Sequence, residues 1–138
     1  MKKHIDVAAA IIIQDGRLFA ARRRPGVHLA GYWELPGGKL ETSETAEQCL
    51  ERELQEELNI VARIGEFFGE STHDYGAKIV RLFVYLVEHV SGNFELVAHD
   101  EFRWLPLDQI DSVKWAPADI AIVEQYSARA SVLARRQQ

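Results

Sequence analysis

At 138 residues, with 47% apolar and 27% charged side chains, the chain is read as one domain over residues 1–138 with a core of its own. A formal net charge of -5 gives no basic footprint for a nucleic acid polymer, so a phosphate-bearing partner must be a small anion held by local positive charge or metal. The single cysteine, Cys49, excludes an intramolecular disulfide framework. MKKHIDV has no apolar run of signal-peptide length, and the longest apolar run, Val7 to Ile13, is too short to cross a bilayer. The expectation is therefore a cytoplasmic protein with no membrane partner.

In chain order, Val7 to Ile13 and Arg17 to Ala21 read as strands joined by Gln14-Asp15-Gly16, a β-hairpin. Arg22 to Gly31 reads as a surface loop, Tyr32 to Leu35 as a short strand, and Pro36-Gly37-Gly38 as a break in regular structure. Thr45 with Gln48 makes a capping box, and Ala46, Leu50, Leu54 and Leu58 recur every four residues as a buried helical stripe. The helix is expected to end near Asn59, which tolerates the left-handed conformation of a helix terminus. Ile60 to Phe68 and Ile79 to Val90 read as strands, and Ser91-Gly92-Asn93 as a turn into Phe94 to Ala98, a second hairpin. After a short strand at Phe102 to Leu105, Pro117 opens a last helix with Ile120, Val123, Tyr126 and Ala130 facing inward, before a polar tail from Ala134 to Gln138. The order predicts an α/β fold in which helices sandwich a mixed β-sheet.

On the first helix, Glu53, Glu56 and Glu57 fall within one arc roughly 100° wide. Like charges at these spacings repel, whereas a hard divalent ion takes oxygen ligands of this kind. An isolated glutamate run is more often a solvated face. The glycines at 37 and 38 favour the metal reading here, because they let backbone approach a ligand or ion closely.

Gly38, Glu44, Arg52-Glu53-Leu54, Glu56-Glu57 and Leu58-Asn59-Ile60 at these spacings resemble the Nudix box, with Asn59 where the box usually carries glycine. The likeness extends from the first hairpin to Ala116-Pro117-Ala118-Asp119 and is strongest to the MutT-like branch, which includes 8-oxo-dGTP diphosphatases and CTP pyrophosphohydrolases. The resemblance implies a Nudix α/β/α sandwich that cleaves a nucleoside triphosphate to a monophosphate and pyrophosphate. It implies Mg2+, with Mn2+ as a substitute, held by the Gly37 carbonyl, Glu53, Glu56 and Glu57. Glu53 would activate water, and Arg52 would orient the carboxylates. MutT-like members often place a further metal-binding glutamate where this chain has Ala98; Glu101, or else Asp100, is nominated in its place.

For the substrate, the resemblance points to Arg23 rather than Arg22 or Arg24, to Gly38 and Lys39 beside the box, and to Asp119 as a base contact. A carboxylate at 119 accepts hydrogen bonds from the amino groups of guanine, cytosine or adenine, so it does not name the base. Leu35 or Trp33 is expected to pack against a base, with Tyr75 and Lys78 bordering the pocket. The histidines and Cys49 lack zinc-ligand spacing and are expected to be structural. Other substrates, such as ADP-ribose, and a non-catalytic Nudix-like nucleotide sensor are the competing readings. Monomer and homodimer stay open.

Overall fold

The computed structural model describes residues 2–136, with side chains through residue 131. Its elements are β1 (Lys3–Gln14), β2 (Arg17–Arg23), β3 (Trp33–Glu34), β4 (Gly37–Lys39), α1 (Ala46–Leu58), β5 (Val61–Asp74), β6 (Lys78–Ser91), β7 (His99–Pro106), a 3-10 turn over Leu107–Ser112, and α2 (Pro117–Arg136). Gln137 and Gln138, at the end of the expected polar tail, lie outside the described residues.

β1 organises the sheet. It pairs in parallel with β6 along Lys3 to Ile12, antiparallel with β4 over Val7 to Ala9, and antiparallel with β2 at Ile13 and Gln14. The path β3-β2-β1-β6-β5, with β4 beside β1 and β7 beside β2, is the mixed sheet anticipated from the element order. Alternation along β1 divides the core between the two faces. Ala8, Ala10 and Ile12 pack with Cys49, Leu50, Leu54 and Leu58 of α1, while Ala9 and Ile11 pack with Ile122, Val123 and Tyr126 of α2. The result is an α/β/α sandwich. Among the described residues no helix is long and apolar enough to cross a membrane.

Several local expectations hold. Asp15 and Gly16 turn the first hairpin with positive φ, and Thr45 and Gln48 close a reciprocal capping box with bonds of 3.1 and 3.0 Å. Asn59 ends α1 in the left-handed region at φ 58°, its amide donating to the Gln55 carbonyl.

Others are corrected. Gly37 and Gly38 continue as a strand, because β1 offers them a ladder opposite Ala9 and Ala8. Phe94 to Ala98 forms no hairpin with β6. Instead the Glu95 and Val97 amides donate to the Leu58 and Glu57 carbonyls, which the end of α1 leaves unpaired. β5 is β6's true antiparallel partner and runs to Asp74, well past Phe68. On α2, Ile120 is 43% exposed, and Ile122 takes the buried position.

Because a left-handed non-glycine residue costs about 1–2 kcal/mol, less for asparagine, Asn59→Gly should leave stability within about 1 kcal/mol of wild type. Asn59→Val should lower it by about 1–2 kcal/mol in urea denaturation.

Candidate active site

The strand ends beside β1 and the start of α2 enclose a cleft of about 390 Å3, a volume in the range of small-molecule sites. Ile5, Val7, Leu35, Val80 and Leu82 give it an apolar wall. Arg23, Lys39 and Lys78 supply cations; Glu34, Glu53, Glu57 and Asp119 supply carboxyls.

The glycines govern the acidic end. A Cβ on Gly37 would collide with the Ala8 carbonyl, and one on Gly38 would occupy the space of the Glu53 carboxylate. Glu53 therefore lies directly against β4, its side chain 14% exposed. Arg52 connects the elements around it: Nε and Nη2 donate to Glu44 at 2.7 and 2.9 Å, and Nη1 donates to Glu53 at 2.8 Å and Glu56 at 3.1 Å. The guanidinium beside Glu44 holds that carboxyl down at about 2. Arg52 itself is raised, chiefly by its bond to Glu44.

Glu57 lies in the opposite situation. Burial first, then the charges of Glu53 and Glu34, push its carboxyl up to about 8. Glu56 turns toward Arg52, is 58% exposed and does not line the cleft. Among the described residues no three acidic, histidine or cysteine side chains stand in a ready-made metal-ligand group. The chemistry of the set nonetheless fits a divalent cation. Glu53 and Glu57 share one cleft at an electrostatic cost that a cation would relieve, and Glu56 lies about one turn from Glu53 and directly before Glu57 on the helix. Cys49, buried under this end, donates its thiol hydrogen to the Gly38 and Lys39 carbonyls, and burial pushes the thiol up to about 11. That is a structural thiol.

At the other end, α2 begins where several elements bind it. Trp33 and the Lys114–Ala116 segment exchange backbone bonds of 2.8 and 2.7 Å, Ser71 donates to the Ala118 carbonyl, and the Ala118 amide donates to the Tyr75 hydroxyl. These bonds place Asp119 inside the cleft, 6% exposed, where its Oδ2 accepts the Leu35 amide at 2.9 Å. Burial, followed by the charge of Glu34, pushes the Asp119 carboxyl up to about 8. Of the two hydrophobic candidates, Leu35 faces the cleft. Trp33 does not line it; its ring carries Arg103 at 4.7 Å and Arg22 at 5.9 Å.

Two further nominations fall outside. Glu101 binds Arg103 at 2.7 Å and lies 3.8 Å from Arg22, and Asp100 accepts Arg22 at 2.8 Å. Neither acid lines the cleft. Cross-strand partners on β2 and along β7 draw them into a surface ion ladder.

Sequence reasoning misses Glu34 and His99, both of which line the cleft. Strand alternation between Trp33 and Leu35 does set Glu34 apart from its apolar neighbours, but in so short a strand an acid reads as solvent-facing.

Residues 2–126 match the NUDIX domain family. The chain is 36% identical over 126 residues to a CTP pyrophosphohydrolase of Escherichia coli, covering 91% of this chain and 93% of that protein. It is equally 36% identical over 126 residues to an 8-oxo-dGTP diphosphatase of Haemophilus influenzae, covering 90% and 92%. The crystal structure of a MutT protein from Methanosarcina mazei superposes with TM-score 0.83 at 27% identity, covering 94% of this chain and 96% of that one. The chain belongs to the Nudix family, and it is a hydrolase of phosphoric anhydride bonds.

Asp119 carries a sign that can be measured. Its carboxyl is raised in the folded protein from 3.8 to about 8, so folding favours its protonated form. Its contribution is fully present below about pH 4 and is lost as pH rises toward 8. Asp119→Asn keeps an acceptor for the Leu35 amide but cannot ionise. The melting temperature of the variant minus that of wild type should grow from pH 5 to pH 8 and level off above.

Proposed function

We propose that this single domain is a magnesium-dependent nucleoside triphosphate pyrophosphohydrolase, releasing a monophosphate and pyrophosphate from 8-oxo-dGTP or from CTP and dCTP in a cytoplasmic nucleotide pool. The observation that carries the reading is one cleft with crowded carboxyls at one end, an apolar wall with a buried Asp119 at the other, and cations between and around them. Arg23 and Glu34 lie close enough to both Glu57 and Asp119 to shift each of them, so the ends belong to one site of nucleotide size.

In this reading Glu53, Glu56, Glu57 and the Gly37 carbonyl would hold Mg2+, with Mn2+ able to substitute. When bound, the ion supplies Lewis acidity and countercharge for the phosphoryl oxygens. Glu53, fixed by Arg52 and by the missing side chain at Gly38, accepts the proton of the attacking water. Lys39 and Arg23, with the Gly38 backbone, hold the phosphates while Leu35 packs against the base. Asp119, protonated near neutrality, offers the base one acceptor and one donor, which suits an edge bearing an amino group beside a ring nitrogen.

Turnover should be tested with magnesium on 8-oxo-dGTP, dGTP, CTP, dCTP, 5-methyl-dCTP and ADP-ribose, with products identified. One of the triphosphates is expected to lead, and Glu53→Gln should lower its kcat by about 10²–10⁴-fold. ADP-ribose as the best substrate would overturn the substrate class. No turnover by wild type, with the variant indistinguishable from it, would leave a nucleotide-binding sensor as the surviving reading.

A second measurement concerns the carboxyl raised to about 8. Burial and the neighbouring charges favour the protonated form of Glu57, and a cation bound there must displace that proton. Magnesium titration should therefore release protons, and apparent affinity should rise from pH 6 to about 8 and then flatten, as read by calorimetry in buffers of differing ionisation heat.

A further inference from the structure

The loop expected to bring a metal-binding acid near residue 98 brings His99 instead. Its side chain is 3% exposed, and Nε2 lies 2.8 Å from Glu34 Oε2. A carboxylate only accepts, so Nε2 carries the hydrogen and donates it. Glu34 in turn receives Arg23 Nη1 on both oxygens, at 3.1 and 3.2 Å, while Arg23 Nε donates to the His28 carbonyl at 2.6 Å. The Arg23 guanidinium is thus held on two sides. Among the described residues its Nη2 meets no protein acceptor, and Arg23 lines the cleft.

Two observations argue that His99 does more than fill space. Its Nδ1 is buried and, among the described residues, has no hydrogen-bond partner, a disfavoured state that an apolar side chain of similar size would avoid. Its partner Glu34 also lines the cleft beside Glu57 and Asp119, where burial and crowding disfavour an ionised carboxyl that has no donors of its own. The Nε2 donor and Arg23 are the attractions that keep it there.

We propose that His99 and Glu34 form a positioning relay for Arg23, in which His99 fixes the Glu34 carboxylate and Glu34 fixes the guanidinium, presenting Nη2 to a phosphate oxygen of the nucleotide. The inference rests on the nucleotide reading above. A pre-oriented arginine loses less freedom when the anion arrives than an unanchored one. Arg23 is taken to contact the phosphates in ground and transition states alike, so the relay acts on KM and leaves kcat nearly unchanged.

The test uses steady-state constants, with magnesium, for the triphosphate that wild type hydrolyses best. His99→Gln carries its amide nitrogen near the Nε2 position and can reach Glu34; His99→Asn carries its amide near Nδ1 and cannot. His99→Asn should raise KM about tenfold with kcat within about threefold, and His99→Gln should stay within about threefold of wild type in both. In an Arg23→Ala background, His99→Asn should add less than about twofold to KM. An unchanged KM in His99→Asn, a loss confined to kcat, or an equal loss in the Arg23→Ala background would overturn the relay. If His99→Asn melts too low to assay, Glu34→Gln replaces it, with the same rise in KM expected and an unchanged KM overturning the proposal. Wild-type protein that hydrolyses no nucleotide overturns both the function and the relay; active wild type with an indifferent His99→Asn overturns the relay alone.

Discussion

No side chain fits at Gly37 or Gly38, and the rest of the cleft depends on that. β4 lies so close to β1 that a Cβ on Gly37 would meet the Ala8 carbonyl, and the space beside Gly38 is filled by the Glu53 carboxylate. Glu53 can then lie flat against the sheet while Leu50, Leu54 and Leu58 bury the adjacent face of α1. Arg52 is left at the seam, within reach of Glu44 before the helix and of Glu53 and Glu56 on it. Close backbone approach, rather than any single side chain, brings the helix face and the strand into one site.

The electrostatics of that site follow from crowding. Glu34, Glu53, Glu57 and Asp119 line one cleft in which burial disfavours their charged forms and each acid disfavours its neighbours. The protein offsets this unevenly. Glu44 and Glu53 have Arg52, and Glu34 has Arg23 and His99, whereas Glu57 and Asp119 are pushed to about 8. Unrelieved strain of this kind belongs at a functional site, since a folded core gains nothing by keeping acids together without a ligand.

What could be read from sequence was local chemistry. The Thr45-Gln48 capping box, the leucine stripe, the Asp15-Gly16 turn and the left-handed Asn59 each depend on residues a few positions apart, and all are present in the structure. What was missed depends on partners distant in the chain. Gly37 and Gly38 become a strand only because β1 passes beside them. Phe94 to Ala98 abandons its hairpin only because α1 ends with free carbonyls nearby, and β5 lengthens because β6 continues to pair with it. Glu34 and His99, 65 residues apart, carry no joint signal in a single sequence. Ile120 and Ile122 are a subtler case: both suit a helix, and it is Ile122 that packs into the core with Ala9 and Ile11 of β1.

Ala98 shows how the same long-range forces limit what a loop can contribute. The segment before β7 is tied by Glu95 and Val97 to the carbonyl end of α1, which fixes its path along the helix. Beyond it, β7 pairs with β2, so Asp100 and Glu101 fall opposite the basic run at Arg22 and Arg23 and are captured on the surface by Arg22 and Arg103. For either acid to reach the cleft, those ion pairs and the β2–β7 register would have to give way. Under the proposed function, the protein ligands for the cation are therefore drawn from α1 and the Gly37 backbone, while the residue beside Ala98 turns inward to orient an arginine.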